Sequence, residues 1–541
     1  MTDLIKNLLE KRGVNTENRE EVEKFLKPNW DRDTHNPFHM KDMEKAVDRI
    51  KKAIDNNEKI IIYSDYDCDG IPGAVVLHDF FKKLKYNNFE NYIPHRHNEG
   101  YGIHKHAIEK FIKDKVTLMI TVDLGITNIE EIKYAQENGI DVILTDHHLP
   151  ILDENKKQVL PIAFAVINTK RDDCDYPEKM LCGCATAWKL AHAFLIKHRT
   201  EYGVAEGYEK WWLDMVGIST VADMVPLLGE NRTLAVYGLQ VLRKSKRQGL
   251  LKIFTNARIK QQYINETDIG FGIAPRLNAA GRMSDPREAF LALLDNIDSD
   301  MYAMRLEKYN NERKKDTGAA NESVDFASFE NDQVVLVGSE NWSPGILGLI
   351  ASKIVDRTKK TVFVWGKGED ENIMKGSVRA GGDGANVVQL MSACADTLIH
   401  FGGHEQAGGF AIIKDKIKDF EKKLKEEYEK QKINFAKVEN NTNHDITLKS
   451  KEITESLFRE INKLSPFGMA NSAPIIKLEG DLKNVRLFGD KKQHIELNVD
   501  GISCIKFSVS EAEKEKLICQ KFWLGFIERD IFKGGLKIRL L

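Results

Sequence analysis

The sequence predicts an α/β protein whose first large domain is built on a parallel sheet. The prediction rests on three apolar runs that each end in an acid or a histidine: Lys59–Gly70, Val116–Gly125 and Asp141–His148. A short, continuous apolar run bounded by polar residues is typical of a strand that is buried on both faces of a parallel sheet. Helix-like sequence follows or separates the runs, at Gly73–Leu84, Lys105–Lys113 and Ile129–Asn138. This alternation predicts βαβ units.

Acidic and imidazole side chains follow the ends of the three predicted strands. Ligands of open α/β sheets bind beyond the carboxyl ends of the strands, so the pattern gathers four side chains along one rim: Asp67, Asp69, Asp123 and His147. Carboxylates at this spacing repel one another unless cations lie between them, and carboxylate oxygens are natural ligands of hard divalent cations. We therefore predict a dinuclear metal site. The first run taken alone also fits an acidic surface turn or a single calcium loop.

A further carboxylate, Asp223, is predicted to join this site. It lies in the segment Asp214–Arg232, between apolar neighbours such as Val221 and Val225. A buried carboxylate is costly unless a cation or hydrogen-bond donors compensate it. A metal ion or a helix N-terminus would therefore explain its position.

Length and composition limit the class of protein. A chain of 541 residues predicts about three domains. No apolar run reaches the length of a membrane span, and the N-terminal sequence lacks the plan of a signal peptide. Seven cysteines without the spacing of a disulfide scaffold favour the reducing cytoplasm. The net charge of −2 gives no general attraction to nucleic acid, yet it does not exclude a nuclease, because catalytic acids offset basic patches elsewhere.

The rest of the chain divides into segments that differ in composition and hydrophobic pattern. A polar stretch from Asp298 to Glu322 predicts a long connecting helix, and a second, smaller α/β unit begins at Gln333. Short alternating runs after residue 432 predict a small antiparallel, OB-like barrel of five strands. The predicted parts are 1–45 (N-terminal helical segment), 46–284 (first α/β domain), 285–330 (connecting helix), 331–432 (second α/β domain) and 433–541 (OB-like domain).

Basic side chains among small residues indicate where a phosphate would bind. Gly270–Arg282 is predicted to be a loop whose arginines clamp a phosphate, with an interdomain turn as the alternative. Ser377, Arg379 and His404 lie in glycine-rich sequence, as expected where a backbone closes around a phosphate. The last domain carries aromatic residues that either stack on bases or fill the core, and for most of them we expect the core. They are Phe488, Phe507, Phe522, Trp523 and Phe526.

These residues resemble the DHH phosphoesterase superfamily. The motifs that carry the resemblance are DYDCDG (65–70), DLG (123–125), DHH (146–148) and the Asp223 segment. The second α/β unit resembles the accessory DHHA1 domain through GSVR (376–379) and FGGHEQAGGF (401–410). Further motifs make the match one to RecJ-type single-strand-specific exonucleases over nearly the whole chain: PRLNAAGR (275–282), SPGILGLIAS (343–352) and LSPFGMANSAP (464–474).

The resemblance implies a 5′→3′ exonuclease of DNA repair and recombination that uses two Mn²⁺ or Mg²⁺ ions and releases 5′-mononucleotides. It implies two ligand sets that share Asp123: Asp67 and Asp123 with Asp65 as a helper, and Asp69, Asp123, His147 and Asp223. His148 would face the scissile phosphate. Tyr63 occupies the position at which many superfamily relatives carry a metal-binding histidine, which leaves the first ion less tightly specified.

The resemblance also implies how the substrate is held. Four residues correspond to the pocket for the 5′-terminal phosphate: Arg96, Arg282, Ser377 and Arg379. His404 belongs to the accessory domain's part of the cleft. The implied partner is single-stranded DNA with a 5′ end, delivered by a single-strand-binding protein or a helicase, and two lobes around one cleft are compatible with a monomer.

Two other functions fit parts of the sequence. The first is a phosphodiesterase of short oligonucleotides or cyclic dinucleotides, against which the C-terminal domain argues, because a small substrate needs no track for a strand. The second is a replication scaffold that has lost its metals, against which the complete acidic set argues. Comparison of a dinucleotide with a long strand, and metal analysis of the purified protein, distinguish the three.

Overall fold

The computed structural model describes residues 1–96, 98–368, 370–382, 384–432, 444–530 and 533–541. The predicted boundary at 432/433 adjoins residues 433–443, which lie outside the described residues. The other domain boundaries stay predictions. No helix among the described residues is both long and apolar enough to cross a membrane.

Three short helices open the chain, and the first two of them pack against its last domain. Helix α1 buries its apolar face against Leu464, far along the sequence. Arg12, just after this helix, donates to the side-chain oxygen of Asn471 at 2.8 Å and to the carbonyl oxygen of Ser472 at 2.6 Å. The three helices are α1 Asp3–Glu10, α2 Arg19–Leu26 and α3 Trp30–Asp33.

The first large domain contains the predicted parallel sheet, in the order β2-β1-β3-β4-β7. Its side chains alternate between two cores, because Ile60 and Ile62 face one helical layer and Ile61 and Tyr63 the other. A separate hairpin, β5–β6, follows β4. The strands are β1 Lys59–Ser64, β2 Phe89–Tyr92, β3 Val116–Val122, β4 Asp141–Thr145, β5 Ile151–Leu152, β6 Gln158–Val159 and β7 Ala165–Ile167.

Helices cover both faces of this sheet. The predicted helices between the strands are present, and each begins within three residues of the expected position. The helices of the domain are α4 Met43–Asp55, α5 Gly70–Lys83, α6 Lys105–Lys113, α7 Ile129–Glu137, α8 Gly183–His198, α9 Leu213–Ala222, α10 Gly229–Leu242, α11 Gln248–Asn256, α12 Glu266–Asp268, α13 Ala274–Met283 and α14 Arg287–Leu293.

The loop predicted at Gly270–Arg282 is wrong, because the segment is helical. A π-helical turn at Ile269–Ile273 leads directly into α13. The proline of this segment stands in the first turn of α13, where a missing N–H group costs nothing. Arg276 does not face a phosphate pocket. Its Nε lies 2.5 Å from Oε2 of Glu307, so it joins α13 to the next helix.

Helix α15, Ser299–Glu322, confirms the predicted long helix and leads into the second α/β domain. The sheet of that domain has the order β11-β12-β10-β9-β8, and only β8 and β9 are parallel. The glycine-rich FGGHEQAGGF segment forms the β11–β12 hairpin. The elements are β8 Val334–Ser339, α16 Leu347–Thr358, β9 Thr361–Lys367, β10 Ile373–Arg379, α17 Val387–Ala393, β11 His400–His404, β12 Ala407–Ile413 and α18 Ile417–Gln431.

The last domain is OB-like, as predicted, but its sheet is larger than the five strands expected. Seven strands pair in the order β13-β14-β18-β19-β17-β16-β15, and the sheet does not close within the described residues. Parallel pairing of β13 with β14 and of β17 with β19 adds to the antiparallel pairs, and alternating runs do not reveal such partners. The elements are β13 Ile446–Lys449, α19 Glu455–Asn462, β14 Ile476–Glu479, β15 Leu482–Phe488, β16 His494–Val499, β17 Ile502–Lys506, α20 Glu511–Cys519, β18 Phe522–Arg529 and β19 Leu536–Leu540.

The aromatic residues of this domain are placed differently from the expectation. Trp523 is buried, but Phe507 and Phe522 are 44% and 43% exposed. Phe488 and Phe526 are half-buried. The expectation that most of the five fill the core is therefore wrong. Neighbouring residues of a strand face opposite sides of the sheet, so Phe522 points outward where Trp523 points inward.

Candidate metal centre and phosphate pocket

The predicted acids and histidines meet at the carboxyl-terminal rim of the parallel sheet. Asp65, Asp67 and Asp69 follow β1, Asp123 follows β3 and the two histidines follow β4, whereas Asp223 caps α9. Three groups have ligand atoms within 4.8 Å of one another: Asp65, Asp67 and Asp123; Asp69, His147 and Asp223; and Asp123, His147 and His148. The structure thus brings together all seven predicted residues.

The distances within this rim suit ligands of shared cations. His147 Nε2 lies 3.2 Å from Asp123 Oδ1 and 3.7 Å from both Asp69 Oδ2 and Asp223 Oδ2. Ligands held at about 2.1 Å around one ion at right angles lie ~3 Å apart. A divalent cation therefore fits between these atoms with little adjustment.

Buried oxygens without donors give an independent test of the fit. Asp65 Oδ1, Asp123 Oδ1 and Asp223 Oδ2 are buried and accept no hydrogen bond among the described residues. Buried polar atoms are nearly always partnered, so these oxygens require another positive group. Carboxylate oxygens with one imidazole are a donor set that Mn²⁺ and Mg²⁺ accept. The residues present fit two such ions.

Backbone geometry holds Asp69 and Asp123 in place. Asp69 accepts hydrogen bonds from the backbone N–H groups of Gly183 (2.6 Å) and Cys184 (2.8 Å), where α8 begins. A helix N-terminus stabilises such a negative charge. Asp123 approaches the same turn so closely that a Cβ at Gly183 would lie 2.5 Å from the Cβ of Asp123. Gly183 is therefore required by the site.

Burial and mutual repulsion shift the titration of the rim. They raise the pKa of Asp69 to about 6 and that of Asp223 to about 8, and they also raise the pKa of Asp65 and Asp123. Burial, followed by the charge of His148, lowers the pKa of His147 to about 3, so this imidazole stays neutral and available as a ligand. The acids require compensation that the protein alone does not provide.

Asp146 organises the rim without being a ligand. Its Oδ2 accepts from the backbone of Ile126 at 2.9 Å, and its Oδ1 accepts from the backbones of His147 and His148. The same Oδ1 lies 2.8 Å from Nδ1 of His148. Burial opposes protonation of His148, but this bond and the charge of Asp146 raise its pKa to about 9. His148 is therefore cationic at neutral pH.

Arginines from separate parts of the chain come together where the sequence predicts a phosphate pocket. Arg282 is held by a bond from Nη1 to the carbonyl oxygen of Gly345 (3.3 Å). Burial, together with the charges of Arg96, Arg313 and Arg379, lowers the pKa of Arg282 to about 9. Arg379 Nη1 donates to Ser377 Oγ at 3.3 Å. The predicted Arg96, Arg282, Ser377 and Arg379 thus form one cluster with a strong excess of positive charge.

Sequence reasoning missed Arg313 in this cluster. It lies on α15 and donates from Nη2 to Oδ1 of Asn310 at 2.8 Å, while its buried Nε has no acceptor in the part of the chain that the structure describes. One arginine in a helix rich in charged residues carries no signal of its own. Only the path of α15 past Arg282 reveals its position.

Glycines let the second domain contact this pocket. A Cβ at Gly345 would lie 2.2 Å from the backbone oxygen of Arg282, and one at Gly348 would lie 3.0 Å from Nη2 of Arg379. These close approaches explain the glycines of the SPGILG sequence at the start of α16. The two α/β domains therefore contact each other at the phosphate pocket.

His404 lies at the edge of the same surface. In the sheet register, Arg379 is opposite Ala407, and Ala407 is opposite His404. Residues directly opposite one another share a face of a sheet. His404, which is exposed, therefore lies on the same face of the sheet as Arg379, two strands away. The structure therefore places His404 beside the pocket and outside its centre.

Tyr63 does not replace a metal-binding histidine. Its hydroxyl donates to the carbonyl oxygen of Gly102 at 3.1 Å, and its ring packs against Tyr92 and Phe111. The ring therefore lies in the core on one face of the sheet. The first ligand set consists of carboxylates only.

The rim on the parallel sheet fits metal ions, and it lies beside a cationic cluster shared with a second α/β domain. This is the arrangement expected of a metal-dependent phosphoesterase. Family models agree with it: the N-terminal domain of the DHH family matches residues 59–220, the DHHA1 domain residues 331–430 and the RecJ OB domain residues 444–540. The chain belongs to the RecJ family of DHH proteins.

Curated relatives align with nearly the whole of this chain. The chain is 37% identical to the single-stranded-DNA-specific exonuclease RecJ of Bacillus subtilis, over 95% of this chain and 64% of the relative. It is 28% identical to RecJ of Haemophilus influenzae, over 98% of this chain and 94% of that one. The chain thus spans less than two thirds of the length of the first relative and nearly all of the second.

Solved structures show the same fold. RecJ from Thermus thermophilus in complex with Mn²⁺ has a TM-score of 0.81 at 23% identity, over 99% of this chain and 75% of that chain. A second structure, exonuclease RecJ bound to manganese, has a TM-score of 0.63 at 26% identity, over 74% of this chain and 97% of that chain.

Proposed function

We propose that this protein is a single-strand-specific 5′→3′ DNA exonuclease that uses two Mn²⁺ or Mg²⁺ ions, releases 5′-mononucleotides and acts in DNA repair and recombination. One observation carries the proposal. The guanidinium carbon of Arg96 lies 5.0 Å from the ring centroid of Tyr66, which stands between Asp65 and Asp67 in the sequence. The anion pocket and the metal-fitted rim are therefore neighbours, as hydrolysis next to a strand end requires. The names of the relatives support this choice of substrate.

Different residues of the site have different roles in the proposed reaction. When bound, the two ions would activate water and neutralise charge on the scissile phosphate. Six side chains would hold them: Asp65, Asp67, Asp69, Asp123, His147 and Asp223. Cationic His148 donates a hydrogen bond toward a phosphate oxygen whose negative charge grows in the transition state. The arginine pocket holds the 5′-terminal phosphate, which sets both the polarity and the length of the product.

Replacement of Arg379 by alanine is expected to weaken recognition of the 5′-phosphate. Hydrogen bonds between charged groups contribute about 1.5–3 kcal/mol, so kcat/KM for a 5′-phosphorylated strand falls about 10- to 100-fold, mainly through KM. Activity on a 5′-hydroxyl strand changes little. Steady-state kinetics on both substrates measures the effect. Lys367→Ala, at an exposed position on the adjacent strand β9, is the control, and an equal loss on both substrates would contradict the assignment.

The C-terminal domain presents an aromatic surface for the strand. The rings of Phe488 and His494 are 5.0 Å apart, and those of His494 and Phe507 are 5.2 Å apart. The guanidinium of Arg539 lies 5.4 Å from the ring centroid of Phe507. Phe507 is exposed, whereas Phe488 and His494 are half-buried. Partly accessible rings beside an arginine suit base stacking and backbone attraction without sequence preference. We propose that this surface guides the single strand.

Replacement of Phe507 by alanine is expected to raise KM for long strands about 5-fold or more, since one base–aromatic stack contributes about 1–3 kcal/mol. Degradation of a trinucleotide, which we expect to be too short to extend from the rim to Phe507, stays the same. Leu487→Ala removes an exposed apolar side chain without a ring from β15 and serves as the control. A loss that is equal for long and short substrates would argue against a guiding surface.

Digestion of end-labelled strands tests the proposed function directly. With Mn²⁺, a 5′ label is released at once as a mononucleotide, whereas a 3′ label shortens step by step. Chelator abolishes both, duplex DNA persists, and a long strand is preferred to a dinucleotide. Release of the 3′ label first, or preference for the dinucleotide, would refute the proposal.

The proposal extends to partners and location. One chain carries both lobes of the cleft, which supports action as a monomer on strands delivered by a helicase or a single-strand-binding protein. All seven cysteines are free, and six of them are buried, which supports a reducing, cytoplasmic setting.

A further inference from the structure

The segment between β2 and α6 contacts both halves of the proposed site. Arg96 lies over Tyr66 at the phosphate pocket. Five residues later, the hydroxyl of Tyr101 lies 3.4 Å from Nδ1 of His148 and 3.5 Å from the backbone oxygen of Asp123. This one segment therefore bridges the pocket and the rim.

Glu99 connects this segment to two neighbouring elements. Its Oε1 accepts from the hydroxyl of Tyr92, at the end of β2, at 2.5 Å, and it lies 2.8 Å from Nε2 of His106 in α6. Its Oε2 accepts from the backbone N–H of His95 at 2.6 Å. The backbone of Glu99 also donates to the carbonyl oxygen of His95 at 2.8 Å, which closes a tight turn around Arg96.

These contacts favour the ionised form of Glu99. Burial alone would raise its pKa, but the bonds from His95, Tyr92 and His106 lower it overall. An ionised carboxylate provides acceptors in two directions at once, whereas a neutral amide of the same size presents one acceptor and one donor. Loss of the charge therefore leaves the His95 N–H or the Tyr92 hydroxyl without its acceptor.

We infer that Glu99 is a positioning residue, which fixes the distance between the 5′-phosphate pocket and the catalytic rim by holding the turn that carries Arg96 and Tyr101. The inference rests on the proposed function, because it gives a spacing role to a residue that contacts neither DNA nor metal. Its consequence is that recognition of the strand end and product length depend on a carboxylate outside the site.

Kinetics of Glu99→Gln on strands with a 5′-phosphate and with a 5′-hydroxyl test the inference. Small displacements of positioning groups cost about 10- to 100-fold, so the ratio of kcat/KM for the two ends is expected to fall about 10-fold or more. Dinucleotide products are expected to appear. Tm and the affinity for Mn²⁺ stay those of the wild type. Glu90→Gln, a mostly exposed glutamate on β2 that pairs with Lys59, is the matched control and keeps the wild-type ratio.

Each outcome of these kinetics either supports or overturns the inference. A wild-type end ratio and product length in Glu99→Gln would overturn the inference while the proposed function stands. A wild type without end-directed activity on single strands would instead refute the proposed function. If Glu99→Gln does not fold, Tyr92→Phe removes one of its three partners and is expected to reduce the end ratio several-fold, and an unchanged ratio there would also overturn the inference.

Discussion

Replacement of Asp123 by asparagine is expected to lower exonuclease turnover by about 10³-fold while it stabilises the metal-free protein. Activity falls because Asp123 belongs to both proposed ligand sets, so both ions lose a carboxylate. Stability rises because the neutral amide removes repulsion from a buried cluster that includes Asp69 and Asp223. Single-turnover kinetics with Mn²⁺, and Tm measured in chelator, check the two halves.

Asp114→Asn is the control for this prediction. Asp114 is an exposed acid after α6, at the opposite end of the strands, and its replacement leaves both quantities unchanged. Turnover of Asp123→Asn within a few-fold of the wild type would contradict the shared-ligand assignment. A lower Tm in chelator would contradict the account of the repulsion.

The stability of the metal-free protein is expected to fall as pH rises from about 4 to 8. The folded-state pKa values of Asp69 (about 6) and Asp223 (about 8) lie above the ordinary value of 3.8. In this window the folded protein holds more protons than the unfolded chain, so each rise in pH favours unfolding. Cations replace those protons, so the increase in Tm that Mn²⁺ produces grows toward pH 8.

Calorimetric scans at pH 5, 6, 7 and 8, in chelator and in Mn²⁺, measure both trends. Other titrating groups contribute to each curve, so the difference between wild type and Asp223→Asn isolates one acid. The variant is expected to lose part of the downward slope in chelator and part of the increase with Mn²⁺. A slope unchanged in Asp223→Asn would show that this carboxylate is ionised without metal.

The sequence predicted those parts of the site that follow from local patterns. Strand ends placed Asp69, Asp123 and His147 at one rim, because the carboxyl ends of parallel strands meet at the same edge. Alternating runs also predicted an OB-like domain. The role of each residue at the rim could not be predicted from the sequence, because Asp146 and Asp123 follow equivalent strands. Only their hydrogen bonds show that Asp146 organises the loop, whereas Asp123 has a carboxylate oxygen that accepts no hydrogen bond among the described residues.

Features that depend on pairing between distant segments were not predictable. The small residues of Gly270–Arg282 suggested a loop, yet they permit close packing of a helix against α15. Aromatic residues that face outward, such as Phe507, are of the same types as those in the core, and only the strand register distinguishes the two groups. Arg313 and Glu99 join the site through a long helix and a tight turn, respectively. Neither position is marked by a local pattern in the sequence.

The contact between α1 and the region around Leu464 joins the N-terminal helices to the last domain. Residues of α1 thereby anchor the domain that we propose guides DNA, although they are more than 50 positions from the nearest proposed metal ligand. We therefore expect processive movement along a strand to depend on the packing of α1 against this domain. Damage there would leave hydrolysis intact and cause the enzyme to release its substrate after fewer steps.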